Sequence, residues 1–148
     1  MRILVINGPN LNMLGTREPE IYGRETLDEI VEQMKSMAAE LGAEVMAMQS
    51  NHEGGIVDFI QQNQATADGL IINPGAFGHT SYAIRDAIAG SELPAVEVHI
   101  SNVHARERFR ERLVLSGVCK GVITGLGWRG YLYALDLLVH TVKEGKEG

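Results

Sequence analysis

Short apolar runs alternate along the chain with stretches whose apolar residues recur every three or four positions. The runs cover residues 3–6, 44–48, 69–73, 95–99 and 121–124. Most lack the in-and-out alternation of a half-exposed strand, as strands covered on both faces should. Between them the period changes. Leu27, Ile30, Val31, Met34, Ala38 and Leu41 fall at helical spacing, with Thr26 and Glu29 set as a capping box before them and Gly42 after them. Tyr131, Leu132, Leu135, Leu138, Val139 and Val142 share one face of a final helix. Weaker patterns predict helices over residues 54–64 and 81–89, and a short one over 105–112. Five strands separated by helices imply right-handed crossovers, hence a five-stranded parallel sheet between two helical layers. This is an α/β, flavodoxin-like three-layer fold. In such sheets ligands bind beyond the carboxyl ends of the strands.

One connection breaks the pattern. After the first strand, residues 7–25 stay polar and non-periodic, whereas connections in compact α/β units usually take roughly 2–6 residues. The loop carries Arg17 and Tyr22, and residues 16–24 are expected to act as an active-site lid. Composition adds bounds. With 148 residues, one domain over 1–148 is expected. Net charge is −6 with both signs interspersed, which argues against a nucleic-acid surface, and no apolar run has the length of a membrane span. Met1 and Arg2 lead directly into a core strand, so a secretory signal is not expected and the location is expected to be cytoplasmic. Cys119 is the only cysteine, which leaves no disulfide within the chain; it reads as a buried structural thiol. Arg106, Arg108, Arg110 and Arg112 form a basic cluster interrupted by Glu107 and Glu111, mostly a solvated helix face.

The strand ends gather the reactive side chains. Asn10, Arg17 and Tyr22 follow the first strand, Asn73 and then His79 the third, and Glu97, His99, Ile100 and Ser101 the fourth. Glu97 and His99, two apart on a strand, leave on one face, so the carboxylate can hold the imidazole in one tautomer. A charged residue in an otherwise apolar strand calls for a reason, and a proton donor supplies one; a buried structural pair is the alternative. Asn10 and Asn73 also suit turns beside Pro9 and Pro74, and His79 equally suits a helix start. His52, His104 and His140 have no such setting. A guanidinium near Tyr22 would favour the phenolate a base requires, and Arg17 is its natural partner. Arg110 can reach the rim beside Ser101.

Missing residues narrow the chemistry. Lys35, Lys120, Lys143 and Lys146 lie away from the strand ends, which leaves no Schiff-base lysine, and no metal-ligand spacing occurs. No cofactor is expected. Gly125-Leu126-Gly127-Trp128-Arg129-Gly130 matches a dinucleotide fingerprint, but it follows the last strand rather than the first, and the glycines read as a tight turn with close helix packing. A flavodoxin-like nucleotide-binding or response-regulator module would need a phosphate loop after the first strand or a phosphoacceptor aspartate. Pro9-Asn10 and Asn73 stand in those places.

Asn7-Gly8-Pro9-Asn10-Leu11-Asn12, residues 17–23, residues 49–54, Asn73-Pro74-Gly75-Ala76 and residues 97–102 together resemble the type II dehydroquinases, over essentially the whole chain. The resemblance implies reversible anti loss of water from 3-dehydroquinate, giving 3-dehydroshikimate through an enolate in the shikimate or quinate pathways. It implies Tyr22 as base with Arg17 keeping it ionised, Asn10 positioning a water at the enolate oxygen, and His99, oriented by Glu97, as acid. By the same resemblance Asn73, Ile100 and Ser101 hold the carboxylate and ring, and His79 and Arg110 bind ring hydroxyls. The resemblance also implies that Asp86 reaches into a neighbouring subunit's site and that the chain self-associates as a homododecamer of trimers. Phe77-Gly78 departs from the family, which more often has a tyrosine or similar residue followed by threonine, and the extra backbone freedom at Gly78 leaves open how firmly His79 is placed.

Overall fold

The structure, a computed structural model, describes residues 1–147. Its strands are β1 (Arg2–Asn7), β2 (Glu44–Gln49), β3 (Gly69–Asn73), β4 (Ala95–His99) and β5 (Gly121–Thr124). Its helices are α1 (Pro19–Tyr22), α2 (Leu27–Glu40), α3 (Glu53–Asn63), α4 (Tyr82–Ser91) and α5 (Arg129–Glu147). The strands form one parallel sheet in the order β2-β1-β3-β4-β5, the flavodoxin-like order. The strand order reverses between β1 and β3, where Asn7 pairs with Asn73 and a crevice opens.

The continuously apolar strands have a simple cause. Alternate residues serve two cores: Ile3, Val5, Ile71, Val96 and Val98 pack under α2 and α5, while Leu4, Ile6, Leu70, Ile72 and Ala95 pack under α3 and α4. Each fully buried aliphatic side chain contributes roughly 1.5–3 kcal/mol, so neither layer is dispensable. α2 starts as its sequence indicates: Thr26 accepts from the Glu29 N–H and Glu29 accepts from the Thr26 N–H, and Gly42 leaves the helix at φ 77°. Among the described residues, no helix is long and apolar enough to cross a membrane.

Two segments carry the site and differ from regular structure. The long loop after β1 folds into a 3-10 turn (Leu11–Met13) and the one-turn helix α1, entered through Glu18 in the left-handed region at φ 40°. The helix expected over residues 105–112 does not form. In its place are 3-10 turns at Val103–Ala105 and Arg108–Arg110. The reason lies in its composition: among alternating arginines and glutamates only Phe109 is large and apolar, and it is 63% exposed, so no apolar stripe exists to dock a helix on the sheet. The glycine turn after β5 behaves as read. Gly125 and Gly127 have positive φ, and their N–H groups donate to the His99 and Ile100 carbonyls, bracing the end of β4.

Candidate active site

The crevice at the strand ends is lined by Asn10, Arg17 and Tyr22 from the loop after β1, Asn73 and His79 from around the end of β3, and His99, Ile100 and Ser101 from the end of β4. Arg106 and Arg110 close its rim. Its charge is one-sided: three guanidiniums and two imidazoles line it and no carboxylate does, in a chain whose net charge is −6. Such a cleft concentrates an anion against low-dielectric walls. Among the described residues, no cluster of His, Cys, Asp or Glu is arranged to hold a metal ion.

One wall is rigid. Glu97 is wholly buried, and its Oε2 lies 2.5 Å from His99 Nε2, so this nitrogen carries the proton shared with the carboxylate. His99 is 5% exposed, stacks with His79 at a centroid distance of 6.2 Å, and lines the cleft. His79 is itself tied down, with Nδ1 2.9 Å from the Arg112 carbonyl. Gly78 therefore does not leave it loose. That glycine is buried instead in close packing: a Cβ there would lie 2.8 Å from Pro74 Cγ and 3.3 Å from His99 Cε1.

The facing wall is the loop after β1. Arg106 Nη1 donates to the Tyr22 hydroxyl at 2.6 Å and to Ser101 Oγ at 3.2 Å. Arg17 stands over the Tyr22 ring, 5.3 Å from its centroid, and pairs with Glu18 at 3.7 Å. Arg17 was the expected partner of the hydroxyl; the hydroxyl's partner is Arg106, and Arg17 covers the π face. Of the basic cluster, Arg106 and Arg110 have side chains only 14% and 18% exposed, so these two are not a solvated face. Glu107 accepts from Arg110 Nε at 2.9 Å, which holds its carboxyl below the usual range and fixes Arg110 at the rim.

The crevice floor is a buried relay across three elements. Tyr131 on α5 donates to Asn7 Oδ1 at 2.7 Å and accepts from Asn73 Nδ2 at 2.8 Å. Asn73 Oδ1 also accepts from the Gly75 N–H. Asn10 sits in the left-handed region at φ 69°, its N–H held by Asn51 Oδ1, which also accepts from Gln49. Ten of the site residues expected from sequence thus meet at this crevice or, for Glu97, directly behind it. Asp86 does not: it is exposed on α4 and lines no part of the cleft.

The sequence profile described as Dehydroquinase class II matches residues 1–139. The chain belongs to the class II dehydroquinase family. It is 54% identical over 144 residues to "3-dehydroquinate dehydratase" of Halothermothrix orenii, covering 97% of each chain. It is equally similar, at 54% over 142 residues, to "Catabolic 3-dehydroquinase" of Aspergillus clavatus, covering 96% of this chain and 95% of that one. The crystal structure of the type II dehydroquinase from Butyrivibrio crossotus superposes with a TM-score of 0.91 at 51% identity, over 93% of this chain and 97% of that one.

Three residues that line or brace the crevice have no role legible in the sequence. Arg106 looked like its neighbours Arg108 and Arg112, since spacing within a basic run does not say which side chain turns inward. Gln49 and Asn51 lie in a segment that carries the family resemblance, and the structure gives them their task of holding the Gly8 carbonyl and the Asn10 N–H.

Proposed function

We propose that the chain removes water from 3-dehydroquinate to give 3-dehydroshikimate, with Tyr22 as base and His99 as acid. The observation that carries this reading is the opposed pair of walls: a tyrosine hydroxyl bonded to Arg106 on one side, and an imidazole held by a buried carboxylate on the other. The Tyr22 phenolate takes the proton next to the ketone. The guanidiniums of Arg106, at its oxygen, and Arg17, over its ring, favour the negative charge the base carries beforehand. Charge then moves to the ketone oxygen as an enolate. Asn10, fixed by Asn51, positions a water against that oxygen and stabilises the charge as it develops.

His99 protonates the departing hydroxyl, which leaves as water while the carbon–carbon double bond forms. With Nε2 on Glu97, the proton it gives comes from Nδ1, and Glu97 balances the imidazolium before the transfer. Base and acid stand on opposite walls, which suits anti elimination. Ser101, the Ile100 backbone and Asn73 hold the substrate carboxylate and ring, and His79 and Arg110 bind ring hydroxyls. Residues 16–24 act as the lid that brings Tyr22 over the substrate. The exposed Tyr82, Tyr133 and Leu137 fit a chain that assembles further, as a dodecamer of trimers in which Asp86 serves a neighbour's site; light scattering measures that state.

The test is enone absorbance from 3-dehydroquinate with the unaltered chain and with Tyr22→Phe. Turnover is expected from the first and almost none from the second, with unchanged circular dichroism. Near-normal turnover by Tyr22→Phe would remove Tyr22 as the base.

A further inference from the structure

Glu97 has two oxygens in a fully buried site, and His99 accounts for only one. The other, Oε1, accepts the hydroxyl proton of Ser116 at 2.7 Å. Ser116 begins a 3-10 turn at Ser116–Val118, just before β5, nineteen residues from Glu97 in sequence. The turn is pinned on both sides. Before it, Leu115 is wholly buried and the Val114 N–H donates to the Gly78 carbonyl at 2.8 Å; after it, the Lys120 N–H donates to the Ala95 carbonyl at 2.7 Å.

Ser116 is no nucleophile in waiting. Its proton goes to the carboxylate rather than to an imidazole, and it does not line the crevice. Its effect is directional. A carboxylate bonded through one oxygen can still rotate about its terminal torsion, whereas one held through both cannot, and Glu97 is held through both. The remaining neighbours leave little slack. Gly78 packs against the dyad, with the position of its absent Cβ 3.6 Å from Glu97 Oε2. Cys119 lies close enough that Glu97 adds to the rise of its thiol, after burial itself. His79 stacks on His99, and Arg85 of α4 lies against Gly117.

We propose that Ser116 is a positioning residue for the reaction: its hydroxyl locks Glu97, and Glu97 in turn fixes the ring and the shared proton of His99. The inference rests on the reading of His99 as the acid, and its consequence has a definite sign. A donor to Glu97 stabilises the carboxylate as an anion, so removing the donor makes the Glu97–His99 pair hold its proton to higher pH.

The experiment compares the unaltered chain with Ser116→Ala and Ser116→Thr by two measurements. One is an NMR titration with histidine labelled at Cε1, which follows His99 without substrate; the other is the pH profile of kcat, with KM. For Ser116→Ala, the His99 midpoint and the matching limb of the kcat profile are expected to move to higher pH by about half a unit or more. kcat is expected to fall about tenfold with KM within about twofold, and Ser116→Thr, which keeps the hydroxyl, to restore both. Should Ser116→Ala fold poorly, Ser116→Cys, similar in size but a weaker donor, carries the same comparison. Unmoved midpoint and limb in a folded variant would overturn the proposal. A moved midpoint with an unmoved kcat limb would overturn the acid role of His99 and leave the lock on Glu97 standing, whereas a moved midpoint and limb with unaltered turnover would overturn the positioning role.

Discussion

Arg106 reaches across 84 residues of sequence to donate to the Tyr22 hydroxyl, and the same guanidinium nitrogen also holds Ser101. One side chain thereby ties the loop after β1 to the end of β4. If Tyr22 is the base, this cation stands at the atom that must carry its charge. Arg106→Ala is therefore expected to lower kcat by about 10²-fold, the scale of losing one preorganised electrostatic partner. Arg106→Lys should recover only part of this, because it keeps the charge but not the planar guanidinium whose Nη1 is placed to donate to both oxygens. Steady-state kinetics check both. Full activity in Arg106→Ala would leave the hydroxyl bond without a function.

Arg17 has a different position and a different expected phenotype. It rests on the Tyr22 ring and is 42% exposed, so its contribution is to the ordering of the loop more than to the oxygen. In Arg17→Ala, amide hydrogen exchange over residues 16–24 should rise and turnover should fall together. A loosened loop with turnover intact would show that lid order and catalysis are separable.

Much of this arrangement is legible in the sequence because its causes are local or periodic. Continuous apolar runs give the five strands, the capping box places the start of α2 at Leu27, and the two-residue spacing of Glu97 and His99 puts them on one face of β4. Cys119, expected as a buried thiol, is only half-buried, though that burial, with Glu97's charge added, pushes it up to about 12. What was not legible depends on how irregular chain folds in three dimensions. Whether Arg106 or Arg17 meets the Tyr22 oxygen is set by 3-10 turns that replace the expected helix, and Arg/Glu alternation carries no period from which to read them. Ser116 follows three apolar residues and gives no signal at all, since its partner is fixed by the path from β4 to β5. Only the folded path of the chain brings such residues together.

Tyr131 is fully buried, and its hydroxyl satisfies Asn7 and Asn73 together, with burial keeping the phenol protonated well past the usual range. Tyr131→Phe keeps the ring and removes only the oxygen. It leaves one amide oxygen and one amide N–H short of a partner, at about 1–3 kcal/mol each if neither finds a new one. For a chain of this size each kcal/mol lowers Tm by roughly 2–4 °C. Calorimetry should show a loss on that scale. KM should also rise, because Asn73 lines the crevice and loses its fixed amide orientation. An unchanged Tm would mean that the relay is stabilised otherwise.

If His99 is the acid and Tyr22 the base, removing one should not disable the other. His99→Ala takes away protonation of the departing hydroxyl, a contribution of about 10²–10⁴-fold, and leaves the Arg106–Tyr22 wall intact. Enolate should still form, then return to substrate more often than it goes on to product. In heavy water the variant should therefore incorporate deuterium next to the ketone of recovered 3-dehydroquinate faster than it yields enone. NMR of the substrate pool during turnover gives that ratio directly. Tyr22→Phe provides the opposite limit, with neither exchange nor product. Loss of exchange in step with turnover in His99→Ala would mean that His99 acts before the enolate and not after it.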